Sequence, residues 1–230
     1  MRLDFFVANS TGLSRKASRQ QISRGDVTVD GQVCRKPATH IARHQIIHWR
    51  QQPLTLPGER YFMLNKPTGV VSATRDSDHA TALDLLPADL RPGLHVVGRL
   101  DIDTTGLLLL TTDGDWSHRI TSPRHHCPKR YRVSLAEPLD DSARQTLENG
   151  VQLRDDPAPT RAARVERVGD MTIDLIISEG RYHQVKRMLA AVGNRVTALH
   201  RLQIGNITLD PALAPGAFRP LTDLEIQAMA

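Results

Sequence analysis

Cysteine is scarce: the 230 residues hold only Cys34 and Cys127, far apart and in no CxxC spacing. That excludes a disulfide framework and fits a protein of the reducing cytoplasm. No apolar run approaches the roughly 20 residues that a membrane-spanning helix needs. The opening "MRLDFFVANS" has neither a long apolar stretch nor a small-residue cleavage site, so no leader and no membrane anchor are expected. Three catalytic signatures are also missing. There is no P-loop, no G-x-G-x-x-G and no G-x-S-x-G, which removes the usual marks of nucleotide hydrolysis, hydride transfer and Ser-His-Asp chemistry. A metal is not expected either. His125, His126 and Cys127 in "RHHCPKRY" are adjacent in the chain, and adjacent residues rarely converge on one ion. Flanking Pro123 and Pro128 suggest a rigid basic loop instead.

What the chain does have is a modest surplus of positive charge. Thirty Lys and Arg stand against 25 Asp and Glu, a formal +5, so the informative question is where the cations fall. The first unit covers about residues 1–50. In it Ser14 and Gly25 bracket "SRKASRQQISRG" as N-cap and C′ residue of a helix, with Ala17 and Ile22 facing inward. Arg15 and Arg19 lie four apart on the other side, and Lys16 and Arg24 widen the stripe. "DVTVDGQVC" alternates Val27, Val29 and Val33 around Asp30-Gly31, a hairpin signal. The stripe reads either as a solvated helix face or as a set of phosphate contacts.

A proline-containing stretch, "QQPLTLPGE" (51–59), reads as a linker. Beyond it, in 60–230, "RYFMLNKPTGVVSAT" gives a strand, a Lys66-Pro67 turn and a second extended piece, and further apolar strands fall near 94–97, 107–112, 130–136, 171–177 and 196–204. Helical segments lie between them near 81–86, 114–121, 140–149 and 181–192. This interleaving predicts an α+β domain with a mixed, largely antiparallel sheet. Thr222 and Glu225 form a capping-box pattern for a short last helix.

Two stretches concentrate chemistry. "GRLDIDTTGLLLLTTDG" (98–114) sets Arg99, Asp101 and Asp103 at the entrance of a four-leucine buried strand, with Asp113-Gly114 as its turn. Asp103, close to Thr104-Thr105-Gly106, reads as a loop-capping carboxylate. Asp101 is either another such residue or a carboxylate presented for reaction. "EGRYHQVKRMLAAVGN" (179–194) predicts a helix whose apolar face is Tyr182, Val185, Met188, Leu189 and Val192. His183, Lys186 and Arg187 share a neighbouring face. Cations near a helix N-terminus are unfavourable by themselves, so they point to an anionic partner, phosphate or carboxylate, or to a plain exposed basic face.

Taken together, "GRLDIDTTGLLLLT", "NKPTG", "KRYRV" and "EGRYHQVKRM", in this order, closely resemble the pseudouridine synthases that modify ribosomal RNA. The N-terminal segment resembles the S4-type RNA-binding domain that precedes the catalytic domain in one subgroup. The resemblance implies that Asp101 is the catalytic carboxylate and that Tyr131 stacks on the target base. It also implies that Arg99 enters the helix stack when the nucleotide swings out. The helix cation opposite the carboxylate falls on Lys186, where many relatives carry Arg; Arg187 is the neighbouring candidate. Arg15, Lys16, Arg19 and Arg187 are then expected at RNA phosphates. No cofactor is implied, because the reaction is an isomerisation. "SPRHHCPKRYRV" and the chain length look most like members acting on 16S rRNA, so the expected partner is that RNA or a small-subunit assembly intermediate, met by a monomer. Two rivals stand beside this reading: a non-enzymatic RNA-binding factor, and an enzyme for large-subunit rRNA or tRNA.

Overall fold

The computed structural model describes residues 1–42, 44–55 and 58–229, which divide into two compact units, Met1–Glu59 and Arg60–Ala230. In the first, α1 (Leu3–Thr11) and α2 (Arg15–Arg24) accompany a four-stranded antiparallel sheet in the order β2-β1-β3-β4. Its strands are β1 (Val27–Val29), β2 (Gln32–Val33), β3 (Ile47–Trp49) and β4 (Gln52–Leu54). Ser14 Oγ accepts from Ala17 N at 3.2 Å and Gly25 closes α2 in the left-handed region, φ 91°. Asp30 and Gly31 both have positive φ, as a two-residue hairpin turn requires.

α1 buries Leu3 and Val7, four residues apart on one face, with Ile22, Val27 and Ile47. Two expectations need correction here. On α2 the residue facing inward with Ile22 is Ser18, fully buried, while Ala17 is half-buried. Part of the supposed linker is β4, where Pro53 sits on a sheet edge that needs no donor from it. Leu56 and Pro57 of that stretch lie outside the described residues.

The second unit is built on a nine-stranded sheet. Its main path comprises β13 (Phe218–Pro220), β5 (Tyr61–Lys66), β7 (Thr105–Thr111), β11 (Val196–Ile204), β8 (Lys129–Leu135), β10 (Thr172–Ile177) and β9 (Arg164–Gly169), in that order. β6 (His95–Val97) pairs with β7 and β12 (Ile207–Thr208) with β11. All pairings are antiparallel except β7 with β11. The expected mixed, largely antiparallel sheet is therefore what forms. Helices α3 (Gly114–Thr121), α4 (Asp141–Asn149), α5 (Gln184–Ala191) and α6 (Asp223–Gln227) complete the unit.

The leucine run is explained by β7, which is covered on both faces. Leu107 and Leu109 join one apolar cluster, Leu108 and Leu110 another, and all four are fully buried. Asp113 is not the turn residue expected but the N-cap of α3, accepting from Asp115 N at 2.9 Å and Trp116 N at 3.0 Å. The segment near 81–86 is a short 3-10 turn (Ala82–Leu85) capped by Thr81 and Asp84. Helix α5 begins at Gln184, so Tyr182 is not on its buried face; it is 75% exposed.

Candidate active site

Asp101 lies in the loop between β6 and β7, and that loop is fastened on both sides of Asp101. Ser72 Oγ accepts from Leu100 N at 3.0 Å and donates to Leu100 O at 2.9 Å. On the far side the fully buried Lys66, the last residue of β5, donates through Nζ to the carbonyls of Pro67 (2.9 Å), Ile102 (3.3 Å) and Thr104 (2.8 Å). Burial pushes the Lys66 ammonium down to about 8, against the opposing pull of the Asp103 and Asp101 carboxylates. Thr104 N donates to Asp101 O at 3.1 Å and closes the turn. Behind it Gly106, φ +100°, lets β7 approach β11 where a Cβ would stand 2.7 Å from Arg201 N. A carboxylate on so constrained a backbone has little freedom of position.

Lys186 on α5 meets this loop. Its Nζ lies 3.0 Å from Asp101 Oδ2 and 2.6 Å from Asp103 Oδ1. His183 Nε2 is 3.5 Å from Asp101 Oδ1. Asp103 is thus an ion-pair partner rather than a loop cap, and the Lys186 hydrogen bond holds its carboxyl below the usual range. Burial works against the Lys186 ammonium, but hydrogen bonds to Asp103 and Asp101 outweigh it and raise its pKa. Arg187 turns elsewhere: its guanidinium contacts Asp156 Oδ2 at 3.2 Å and the Arg154 carbonyl at 2.5 Å. Successive helix residues point about 100° apart, so the cation reaching Asp101 is Lys186.

These groups open on a cavity of about 700 Å³ that Arg99, Asp101, Tyr131, His183 and Lys186 help to line. Tyr131 on β8 is 9% exposed, and Arg201 of the neighbouring β11 is its partner in the strand register. The buried Arg201 is itself held, with Nε donating to Leu107 O at 2.8 Å. Lys129, on the same face of β8 as Tyr131, adds another cation to the lining, and burial lowers its pKa. Arg99 lines the cavity too. The residues absent from the sequence reading are Ser72 and Lys66 as anchors. Only the motif "NKPTG" hinted at Lys66, and nothing local marked Ser72.

In the Met1–Glu59 unit the basic residues make other contacts. Arg19 Nε and Arg15 Nη2 converge on the fully buried Asp4 at 2.9 and 3.5 Å, with Arg2 at 2.9 Å. These guanidinium groups, Arg2 first, hold Asp4 well below the usual carboxylate range despite its burial. Lys16 is exposed. His125 and His126 face separate partners, the Arg119 carbonyl at 2.7 Å and the Arg161 guanidinium at 3.0 Å.

Comparison with known proteins identifies the family. Residues 60–191 match the model of the RNA pseudouridylate synthase family, and residues 1–47 that of the S4 domain. The ribosomal small subunit pseudouridine synthase A of Escherichia coli (strain K12) is 50% identical over 230 residues, covering 100% of both chains. Its counterpart in Haemophilus influenzae is 45% identical and covers 100% of this chain and 99% of that protein. A crystal structure of a pseudouridylate synthase superposes over 100% of both chains with a TM-score of 0.75 at 44% identity. With Asp101, Tyr131 and Lys186 gathered at one cavity and both domain models matched, the chain belongs to the RNA pseudouridylate synthase family and carries an S4 domain before its catalytic unit.

Proposed function

We infer that the chain isomerises a uridine of 16S rRNA to pseudouridine, in the free RNA or in a small-subunit assembly intermediate, with Asp101 as the catalytic carboxylate. The observation that carries this is the Lys186–Asp101 pair, 3.0 Å apart, on a doubly anchored loop facing a large cavity. The reaction breaks the N1–C1′ bond of uridine and forms a C1′–C5 bond. The C5 proton leaves and N1 takes one up, so atoms and electrons balance with no cofactor. Asp101 supplies the carboxylate at the sugar or base carbon, chemistry that carboxylates perform on the same type of carbon in glycosidases.

Lys186 pairs with that carboxylate at 3.0 Å and orients it. Tyr131 offers its ring to the base and Arg99 fills the place of the flipped nucleotide, offsetting a cost of roughly a few kcal/mol. Lys129, Arg99 and Arg201 make the cavity wall cationic, which suits a nucleic-acid backbone. The S4 unit adds phosphate contacts through Lys16, with Arg15 and Arg19 preset by Asp4. The small-subunit target rests on the likeness to the relatives named above. No helix among the described residues is long and apolar enough to cross a membrane, and the chain works as a cytoplasmic monomer.

Chemical mapping of pseudouridine in cells lacking the protein tests this directly. One site in 16S rRNA loses its label and regains it with the wild-type chain, but not with Asp101→Asn, which retains RNA affinity. A normal yield from Asp101→Asn refutes the catalytic assignment. A lost site in 23S rRNA or tRNA refutes the choice of substrate.

A further inference from the structure

Tyr182 is the most exposed aromatic side chain among the described residues, at 75%, in a chain with few aromatics. It does not hang loose. One face of its ring stacks on His183, with centroids 3.8 Å apart and planes inclined by 20°. His183 in turn reaches Asp101 Oδ1 at 3.5 Å, and both residues line the cavity. An exposed aromatic face beside a reactive carboxylate calls for an explanation that packing does not provide.

The turn that presents the pair is built at some expense. His183 has φ 48°, a left-handed conformation that a non-glycine residue holds only when its surroundings impose it. The surroundings do so. Arg181 donates to the carbonyls of Ala158 and Pro159 at 2.7 Å each and pairs with Asp156 and Glu179 at 3.3 Å each. Gln184, 4% exposed, accepts from Arg181 N at 2.8 Å and donates to Glu179 at 2.8 Å. A rigid, strained turn that ends in an exposed ring is preorganised for contact with something planar.

We propose that the Tyr182–His183 stack is a base platform: the open face of Tyr182 takes an unstacked nucleobase adjoining the target uridine, while the target itself enters the cavity toward Asp101. The proposal rests on RNA being the substrate and names one feature of how it is held. When a nucleotide swings out, its neighbour loses a stacking partner, and a fixed aromatic ring replaces it without regard to base identity. Because the same stack touches Asp101 through His183, seating the neighbour also aligns the target with the carboxylate.

The experiment compares wild type, Tyr182→Ala and Tyr182→Phe on a synthetic RNA carrying the mapped uridine. Loss of the ring raises KM by about 5- to 150-fold, the range that one base–aromatic stack provides, and Phe retains the wild-type KM because the platform needs the ring and not the hydroxyl. An abasic residue on one side of the target raises KM for wild type but adds nothing in Tyr182→Ala. Unchanged KM in Tyr182→Ala, or losses that simply multiply, overturn the platform. An independent readout is quenching of 2-aminopurine in an oligouridylate. Wild type quenches it and Tyr182→Ala does not; equal quenching overturns the platform even if no RNA is converted. Failure of the wild-type chain to form pseudouridine, with quenching intact, falls on the proposed function alone.

Discussion

Replacing Lys186 by methionine keeps most of the apolar stem and removes only the charge that joins Asp101 and Asp103. In the folded chain Nζ lies 3.0 Å from one carboxylate and 2.6 Å from the other. A hydrogen bond to a charged group contributes about 1.5–3 kcal/mol. The Lys186 and Asp101 side chains retain 28% and 27% exposure, so solvent screening favours the lower part of that range, about 1.5–2 kcal/mol. If that energy positions and charges the carboxylate in the transition state, kcat falls about 10- to 30-fold. The pH signature has a definite sign. Asp103, now held below the usual carboxylate range by Lys186, loses that support, and two carboxylates share one loop with no ammonium between them. Asp103 then takes up its proton at higher pH than in the wild type, so the acid limb of the rate profile moves up. Lys186→Arg restores the charge and most of the rate. Arg187→Met leaves the limb in place, because Arg187 serves Asp156 and the Arg154 carbonyl. Single-turnover rates from pH 4.5 to 8 read all three. A Met variant within twofold of wild type and with an unmoved limb refutes the reasoning, and a limb moved by Arg187→Met alone reassigns the partner.

Other expectations follow from single contacts. Ser72→Ala removes both hydrogen bonds to Leu100 and lowers kcat about tenfold with little change in KM, whereas Ser72→Thr keeps the hydroxyl and the rate; equal kinetics for the two variants would show that the clamp is idle. Gly106→Ala forces a left-handed φ on alanine and drives its Cβ against the Arg201 backbone, so the urea midpoint of the Arg60–Ala230 unit drops by the equivalent of about 2 kcal/mol or more. An unshifted midpoint would mean that the two strands separate at no cost. Asp4, held low by Arg2, Arg19 and Arg15, stabilises the Met1–Glu59 unit above the unfolded-state pKa of about 3.9, and that stability is lost as pH falls below it. Asp4→Asn should therefore flatten the loss of stability between pH 5 and 2, and an unchanged slope would show the cluster to be uncoupled from folding. Lys16→Ala should reduce the slope of log affinity against log salt by about 0.7–0.9, which filter binding to 16S rRNA would detect; an unchanged slope means that Lys16 is merely solvated.

Sequence alone determined the features whose causes lie within a few residues. Ser14 and Gly25 bound α2, Asp30-Gly31 turns the first hairpin, and Thr222 with Glu225 caps α6. The four leucines of β7 announced a buried strand, and the sheet came out mixed and largely antiparallel as the interleaved segments required. The motif around Asp101 marked the family because its residue types stand in fixed local order. What only the tertiary structure decided is pairing across distance. Asp103 and Lys186 are 83 residues apart, Lys66 and Thr104 38, and Ser72 and Leu100 28. Such contacts depend on which strands become neighbours, here on β7 lying between β5 and β11, and no local propensity encodes that choice. The same reason hid Asp4, whose partners Arg15 and Arg19 lie on α2, eleven and fifteen residues away. It also hid Tyr182, whose apolar character argued for the core until the late start of α5 left its ring in the open.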